Sequence, residues 1–416
     1  MAALGACEDW LITTCDKKLV AIHTTQSRDQ FVFDCSTAEE KPKSTEPDNK
    51  SDGGGSEETG SDKILAFAVS ASGNLMALTD DTKRLVLFSR EPTWQIISTR
   101  WVVRRCTSLV FTHDEKEVWL ADKSGDVYSF SVVEPQKTGE LRLGHLSMLL
   151  CMTLTPNDKY VITADRDEKI RVSHLMGPHN IQAFCLGHLE FVSSLLVPAG
   201  HPQWLLSGSG DGTMKLWDYE SGRRIQSWDL NQLRDMPNSD TEKRSAVSRI
   251  AGSPSGCHIA VQCERVPSVQ LFVMDGGEEE RLVPSSRLTL SHCPLDLTFD
   301  PQGRLWVLLD CRETPLLLYT HTEGSWTCNN ESIELKRVIE ALQPHWEALQ
   351  VSAGLESRFH HLYKVSFDNM ASYRQKKQER LNQQHKQPGQ KRSPRNGQES
   401  NSASKKAKKP GPKASS

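Results

Sequence analysis

Apolar residues recur along this chain in short alternating runs, each closed by a turn-forming Gly, Asp, Asn, Ser or Pro. Ile64 to Val69, Leu75 to Leu78, Leu85 to Phe88 and Val118 to Leu120 are examples. Alternation with period two predicts half-buried β-strands, and many short strands at regular spacing predict an all-β domain. No apolar run approaches the ~18 residues that a membrane-spanning helix requires, so no membrane association is expected. Towards the C-terminus the pattern changes. Ser332 to Leu342 predicts a short helix, and Asp368 is placed to cap a second helix running from Asn369 towards Lys386.

The strands belong to a repeat. Leu206-Ser207-Gly208-Ser209-Gly210-Asp211-Gly212-Thr213-Met214-Lys215-Leu216-Trp217-Asp218 has the form of the end of a WD repeat, and 44 residues earlier stands Ile162-Thr163-Ala164-Asp165-Arg166-Asp167-Glu168-Lys169-Ile170-Arg171-Val172-Ser173. A Gly-His pair precedes each, at Gly187-His188 and Gly144-His145. The position of Trp217 is matched by Phe33, Phe88, Phe130 and Ser173 before it and by Phe272 and Tyr319 after it. The middle spacings, 42, 43 and 44, fit the roughly 40–45 residues of a four-stranded propeller blade. A lone blade leaves bare edges, and a ring of blades removes the problem. The expected fold is therefore all-β, a seven-bladed WD-repeat β-propeller over residues 1–330. It carries a disordered loop at 36–62 and a polar insertion at 231–244. A helical extension (331–386) and a disordered basic tail (387–416) follow. The strand Asp9 to Thr14 is expected to complete the last blade beside Leu316 to Tyr319.

Candidate chemistry is sparse. His188, Ser207, Asp211 and Trp217 invite comparison with a Ser-His-Asp triad. In a WD repeat these positions instead form a buried hydrogen-bond chain that locks the blade, because buried polar groups need such partners. His145, Thr163 and Asp167 repeat the set, with Ser173 in place of the Trp. Gly208 to Gly212 looks like a phosphate loop, but a strand follows it where a helix is required. No strand–glycine-loop–helix unit suits a nucleotide or a methyl donor, so no cofactor is expected in this chain. The 11 cysteines include no C-x-x-C pair and are odd in number, which argues against both a zinc site and a disulfide framework. Met1 to Cys7 lacks the basic-then-apolar character of a secretory signal.

Charge adds a further feature. Residues 371–416 hold 13 Lys and Arg against two Glu, a net +11, which leaves −14 on the remainder of a chain whose total is −3. An acidic body with a basic arm suggests a polyanionic partner for the arm. Lys405-Lys406-Ala407-Lys408-Lys409 reads either as a nuclear import signal or as a nucleic-acid contact, with simple solubilisation as the alternative. Nuclear localisation is expected, with the cytoplasm as a second compartment. On the body, Asp165 to Lys169 places five charged side chains in one turn, and Asp122 to Asp126 and Asp80 to Arg84 align with it. Such a rim is either a solvated surface or a docking surface for a protein. Glu168 stands where the aligned unit has Gly212, at a cost of ~1 kcal/mol if the backbone there is left-handed.

Ala121 to Phe130, Leu143 to Leu149 and Thr163 to Ser173, with Phe367-Asp368-Asn369 and the basic helix after it, resemble the non-catalytic WD-repeat subunit of the tRNA (guanine-N7) methyltransferase. The resemblance covers nearly the whole chain. It implies a scaffold that stabilises a separate catalytic subunit, which carries S-adenosylmethionine, and helps to place tRNA for N7 methylation of a variable-loop guanosine. By that resemblance Lys123, Asp167, Glu168 and Lys169 pair with the catalytic subunit. Arg171 holds the charged turn by bonding Asp165 or Asp167. Arg374, Lys376, Lys377 and Arg380 contact tRNA phosphates, with Arg104 and Arg105 as weaker candidates. The competing reading is a generic WD-repeat adaptor, such as a ubiquitin-ligase substrate receptor or a chromatin scaffold. An enzyme with a site on the propeller top is disfavoured, because no carboxylate or histidine cluster remains once the blade-locking residues are set aside.

Overall fold

The computed structural model describes residues 2–28, 30–41, 60–232, 245–275, 281–353, 357–364, 373–374 and 376–378. Most of the loop expected at 36–62, most of the insertion expected at 231–244 and all of the tail beyond 378 lie outside these residues. The strands form seven antiparallel sheets, each of four strands in chain order. These blades run Ala3–Asp34, Ile64–Trp101, Cys106–Gly144, Leu149–Cys185, Val192–Asp229, Val247–Thr289 and Pro294–Cys328. The first strands of neighbouring blades touch all the way round, and the first strand of blade 7 meets that of blade 1. The ring is closed, as the repeat predicts.

Burial follows position within a blade. The second strand of blade 4, Tyr160–Asp165, is buried at every residue, whereas the fourth strand of blade 5, Arg223–Asp229, has none buried. Middle strands are covered on both faces by the adjoining blades, so their alternation is blurred by near-continuous apolar runs such as Tyr160-Val161-Ile162. The core is accordingly divided into clusters lying between successive blades, as where Leu206, Met214 and Leu216 of blade 5 meet Val247, Ile259 and Phe272 of blade 6.

Blade 1 departs from the sequence expectation. Asp9 to Thr14 does not complete the last blade. Trp10–Cys15 is the second strand of blade 1, and Ala3–Cys7 is its innermost. Blade 7 supplies its own outer strand, Ser325–Cys328. Glu323 (φ 52°) and Gly324 (φ 79°) are both left-handed and turn the chain back along Leu316–Thr322. Phe33 is on the fourth strand of its blade. The third is Lys18–His23, where Ile22 holds the place that an aromatic holds in every other blade but blade 4.

With no exchanged strand, the seam between blades 7 and 1 is held in other ways. The backbone N–H of Leu4 donates to Asp296 Oδ2 at 2.7 Å, joining the two innermost strands. Two helices cover the seam: α1 (Ile333–Leu342), capped by Ser332, and α2 (Trp346–Ala353). Leu335, Val338, Leu342, Trp346 and Leu349 pack in one cluster with Leu4, Leu11 and Val20 of blade 1 and Trp306, Leu308 and Leu318 of blade 7. Polar contacts fix α1 to both sides. Glu334 receives the Arg304 guanidinium of blade 7, which also bonds Asp300 at 2.7 Å. Arg337 donates to the Thr24 carbonyl of blade 1 at 2.5 Å. The helices therefore belong to the propeller. The first compact unit runs Met1–Tyr363, beyond the boundary expected at 330, and the second is Lys364–Ser416.

Trp346 is buried in this seam. Trp346→Ala should lower unfolding stability by about 3–5 kcal/mol, read by chemical denaturation. An unchanged midpoint would show that the ring closes without the helices.

Candidate partner-docking rim

The turns between second and third strands, together with the loops that enter each blade, lie on one face of the ring. At the end of the second strand in blades 2, 3 and 4 stands a buried aspartate: Asp80, Asp122 and Asp165. Each uses Oδ1 to collect two backbone N–H groups of its own turn. Asp80 takes those of Thr82 and Arg84 at 3.0 and 3.1 Å. Asp122 takes those of Ser124 and Asp126 at 2.7 and 3.1 Å. Asp165 takes those of Asp167 and Lys169 at 2.9 and 3.0 Å. The residue three after the aspartate is left-handed every time, at Lys83, Gly125 and Glu168 (φ 71°, 97° and 59°). A left-handed non-glycine residue costs about 1–2 kcal/mol, and the paired bonds to a buried carboxylate offset it. Three neighbouring turns are thus built alike and rigid.

This geometry corrects two expectations about blade 4. The carboxylate that bonds His145 is Asp165 (Nδ1 to Oδ2, 3.1 Å), not Asp167, because Asp165 ends the strand and points inward while Asp167 lies two residues into the turn. His145 continues to Thr163 Oγ1 at 2.8 Å. In blade 5 the aspartate is displaced by those two residues. Asp211 Oδ2 meets His188 Nδ1 at 3.0 Å, His188 Nε2 meets Ser207 Oγ at 2.7 Å, and Trp217 Nε1 donates to Ser207 at 2.8 Å. Arg171 bonds neither Asp165 nor Asp167. Its guanidinium donates to Ser173 Oγ, to the Gly144 carbonyl at the end of blade 3 and to the Pro178 carbonyl of blade 4, at 2.9, 3.0 and 2.9 Å. Small Ser173, where blade 5 has Trp217, leaves room for that reach. Arg171 is a stitch between blades 3 and 4, and burial lowers its pKa.

The charged face of the turn consists of half-buried Asp167 and Glu168 with exposed Lys169 and, on blade 3, exposed Lys123. Leucines that sequence reasoning passed over surround it. Leu146 follows the lock histidine His145 and is fully exposed, while Leu186 and Leu189 flank His188 and are 62% and 67% exposed. Cys185 pairs with Ile170 in the sheet, which sets Leu186 beside Lys169. The signal was present in the two Gly-His-Leu triplets. A charged turn ringed by exposed leucines has the composition that suits a protein contact, where apolar area supplies affinity and charge supplies orientation.

Arg166, within the same turn, faces the ring axis. It donates to the carbonyls of Leu362 and His361 at 3.1 and 3.3 Å. The segment Ser357–Tyr363 lies across the mouth of the central channel, a space of about 850 Å³ lined by the first strands together with Lys123, Arg249, Asp296 and Arg358. The channel offers no catalytic set. Asp296 is taken by Leu4 and Arg249, and burial pushes the Cys106 thiol up to about 12. Among the described residues no cluster of three His, Cys, Asp or Glu could hold a metal, and no helix is long and apolar enough to cross a membrane. Arg104 is exposed at the entry to blade 3, whereas Arg105 donates to the Asp81 carbonyl. In the second unit Arg374, Lys376 and Lys377 are exposed and helical, and Arg380 lies outside the described residues.

Fold and blade locks together define a WD-repeat propeller. The chain belongs to the family described as the tRNA methyltransferase TRM82 WD40 domain, whose model matches residues 13–142 and 133–327. It is similar to proteins named tRNA (guanine-N(7)-)-methyltransferase non-catalytic subunit. The one from Danio rerio is 63% identical over 93% of this chain and 94% of its own length. The one from Mus musculus is 48% identical over 91% of each, and the one from Homo sapiens is 44% identical over 90% and 89%. Among solved structures, the RRP9 WD40 repeats superpose with a TM-score of 0.60 at 17% identity, over 75% of this chain and 88% of that one, a likeness of fold alone.

Two outcomes follow from the blade locks. Burial lowers the His188 pKa, so the unfolded chain takes up this proton first as pH falls from 7. Burial alone would raise Asp211, but bonds from His188, Thr213 and the Leu189 N–H hold it far below the ordinary value. Its contribution is present above pH ~4 and is lost as pH falls further. Both effects have the same sign, so denaturant midpoints should drop from pH 7 to 3, and the part of the drop that falls below pH ~4 should be smaller in Asp211→Asn. An equal drop in the variant would remove the lock from the acid response. Separately, Arg171→Lys cannot reach three divergent oxygens and should cost about 1–3 kcal/mol, measured by the same unfolding assay. Wild-type stability would dismiss the stitch.

Proposed function

We infer that this chain is the non-catalytic subunit of a tRNA (guanine-N7) methyltransferase. Its ring carries no catalytic group. It presents the blade-4 turn, Asp167, Glu168 and Lys169 with Lys123 of blade 3, to the catalytic subunit, which binds S-adenosylmethionine. Docking there stabilises that subunit. Arg171 keeps blades 3 and 4 in register and thereby keeps the turn in place. The basic arm with Arg374, Lys376, Lys377 and Arg380 contacts tRNA phosphates and helps to set the variable-loop guanosine at the active site. Its basic clusters suit the nucleus as the working compartment.

The observation that carries this reading is the likeness over nearly full length to relatives named for that subunit. The rigid, exposed and mixed-charge turn ringed by leucines supports the choice of surface. A generic adaptor would use the same rim with other partners, and nothing in the geometry favours it.

Lys169→Glu should weaken complex formation with the catalytic subunit by about tenfold, since close interfacial charge pairs are worth roughly 1.5 kcal/mol or more, while unfolding stability stays at the wild-type value. Titration calorimetry on the co-purified pair reads the effect, and wild-type affinity would take Lys169 out of the interface. Replacing Arg374, Lys376 and Lys377 by Gln should weaken tRNA binding and make it less steep in salt by about one unit of slope per lost phosphate contact. An unchanged slope would show that the arm does not meet RNA phosphates.

A further inference from the structure

The segment Ser357–Tyr363 is anchored at both ends to turns of one face of the ring. At its start, Glu264 of blade 6 receives the Ser357 hydroxyl and the Arg358 N–H, both at 2.6 Å. At its end, Arg166 of blade 4 holds the carbonyls of His361 and Leu362. Between them Phe359 and Leu362 are buried against Phe191 and Ala246, which stand at the entries to blades 5 and 6. Ring contacts link Phe191 to Phe359 and to Tyr363 at 5.4 and 5.1 Å. A stretch with no regular secondary structure has thus been given two polar clamps and a small core of its own. Tyr363 is the last residue of the propeller unit, and the basic arm begins with the next.

We propose that this plug fixes the point at which the basic arm leaves the propeller, and that Arg166, Glu264 and Phe359 are positioning residues for tRNA. The inference rests on the reading of the arm as the RNA contact. Arg166 stands between Asp165 and Asp167, so one turn serves two purposes. Its outer side chains present the docking charge, and its inner one pins the root of the arm. The root of the arm is thereby held at the same turn. Arg374 stands eleven positions after Tyr363, a span of at most ~39 Å when extended. Without the plug the last element on the ring would be α2, ending at Ala353, and the distance along the chain to Arg374 would grow to 21 positions. Effective concentration falls roughly as the −3/2 power of tether length, so the loss is about threefold.

The experiment uses the full chain co-expressed with its catalytic subunit, with unmodified tRNA as substrate. Phe359→Ser and, at a distance from the docking turn, Glu264→Gln should each raise KM for tRNA about threefold, with kcat and the affinity between subunits unchanged. In a chain whose Arg374, Lys376 and Lys377 are already Gln, the same substitutions should have no further effect, because no arm remains to be positioned. KM unchanged by both substitutions, in a chain whose neutralised arm does raise KM, would overturn the proposal and leave the arm as the RNA contact. A rise of equal size with and without the charged arm would also overturn it, by showing that the plug acts through the ring. If neutralising the arm leaves KM as it was, the reading of the arm fails and the inference fails with it.

Discussion

A ring of seven blades has one seam where the first and last blades meet, and the shape of every turn on its rim depends on how that seam is closed. Here no strand is exchanged across it. Blade 1 and blade 7 each complete themselves, and the join rests on a side-by-side contact of innermost strands, one hydrogen bond from Leu4 to Asp296, and two helices laid over the gap. Hydrophobic burial is nondirectional, so the apolar cluster around Trp306 and Trp346 supplies cohesion, while the Arg304–Glu334 and Arg337–Thr24 contacts supply register. The chain beyond the last blade is thus part of the scaffold that holds the ring shut, and it returns over the channel mouth only after doing so.

Rigidity at the seam matters because the proposed docking surface is made of turns, which take their shape from the strands beneath them. Asp80, Asp122 and Asp165 organise three neighbouring turns from within, and Arg171 ties blade 3 to blade 4 at the point where the rim is most charged. A surface held this way loses little conformational entropy when a partner binds, which is where preorganised interfaces gain affinity.

Much of this was legible in the sequence, and the failures have physical causes. Blades 2 to 6 carry turn residues at fixed offsets, and all of them but blade 4 carry an aromatic at the matching position, so their spacing is plain. Blade 1 was placed out of register because Ile22 lacks the aromatic signature and Phe33, one strand further on, imitates it. Ring closure could not be read, since the helical period of Leu335, Val338 and Leu342 shows that a face is buried but not against what. Aligning Asp167 with Asp211 was correct letter by letter, yet in blade 4 the buried role passes to Asp165, because the strand-end position held by Ser209 in blade 5 is there an aspartate that reaches the histidine. Arg171 was expected to seek carboxylates, and it bonds three neutral oxygens instead because Ser173 opens the space between blades. The plug had no period at all, and its anchors at Arg166 and Glu264 lie far away in sequence.

The most direct measurement of the central claim, that one face of a rigid ring carries the catalytic subunit, is hydrogen exchange on the chain alone and in complex. New protection should centre on 144–148, 166–171 and 186–190, with the seam around α1 unchanged. Protection confined to the opposite face, at turns such as Asp114 to Lys116 and Asn157 to Lys159, would contradict it.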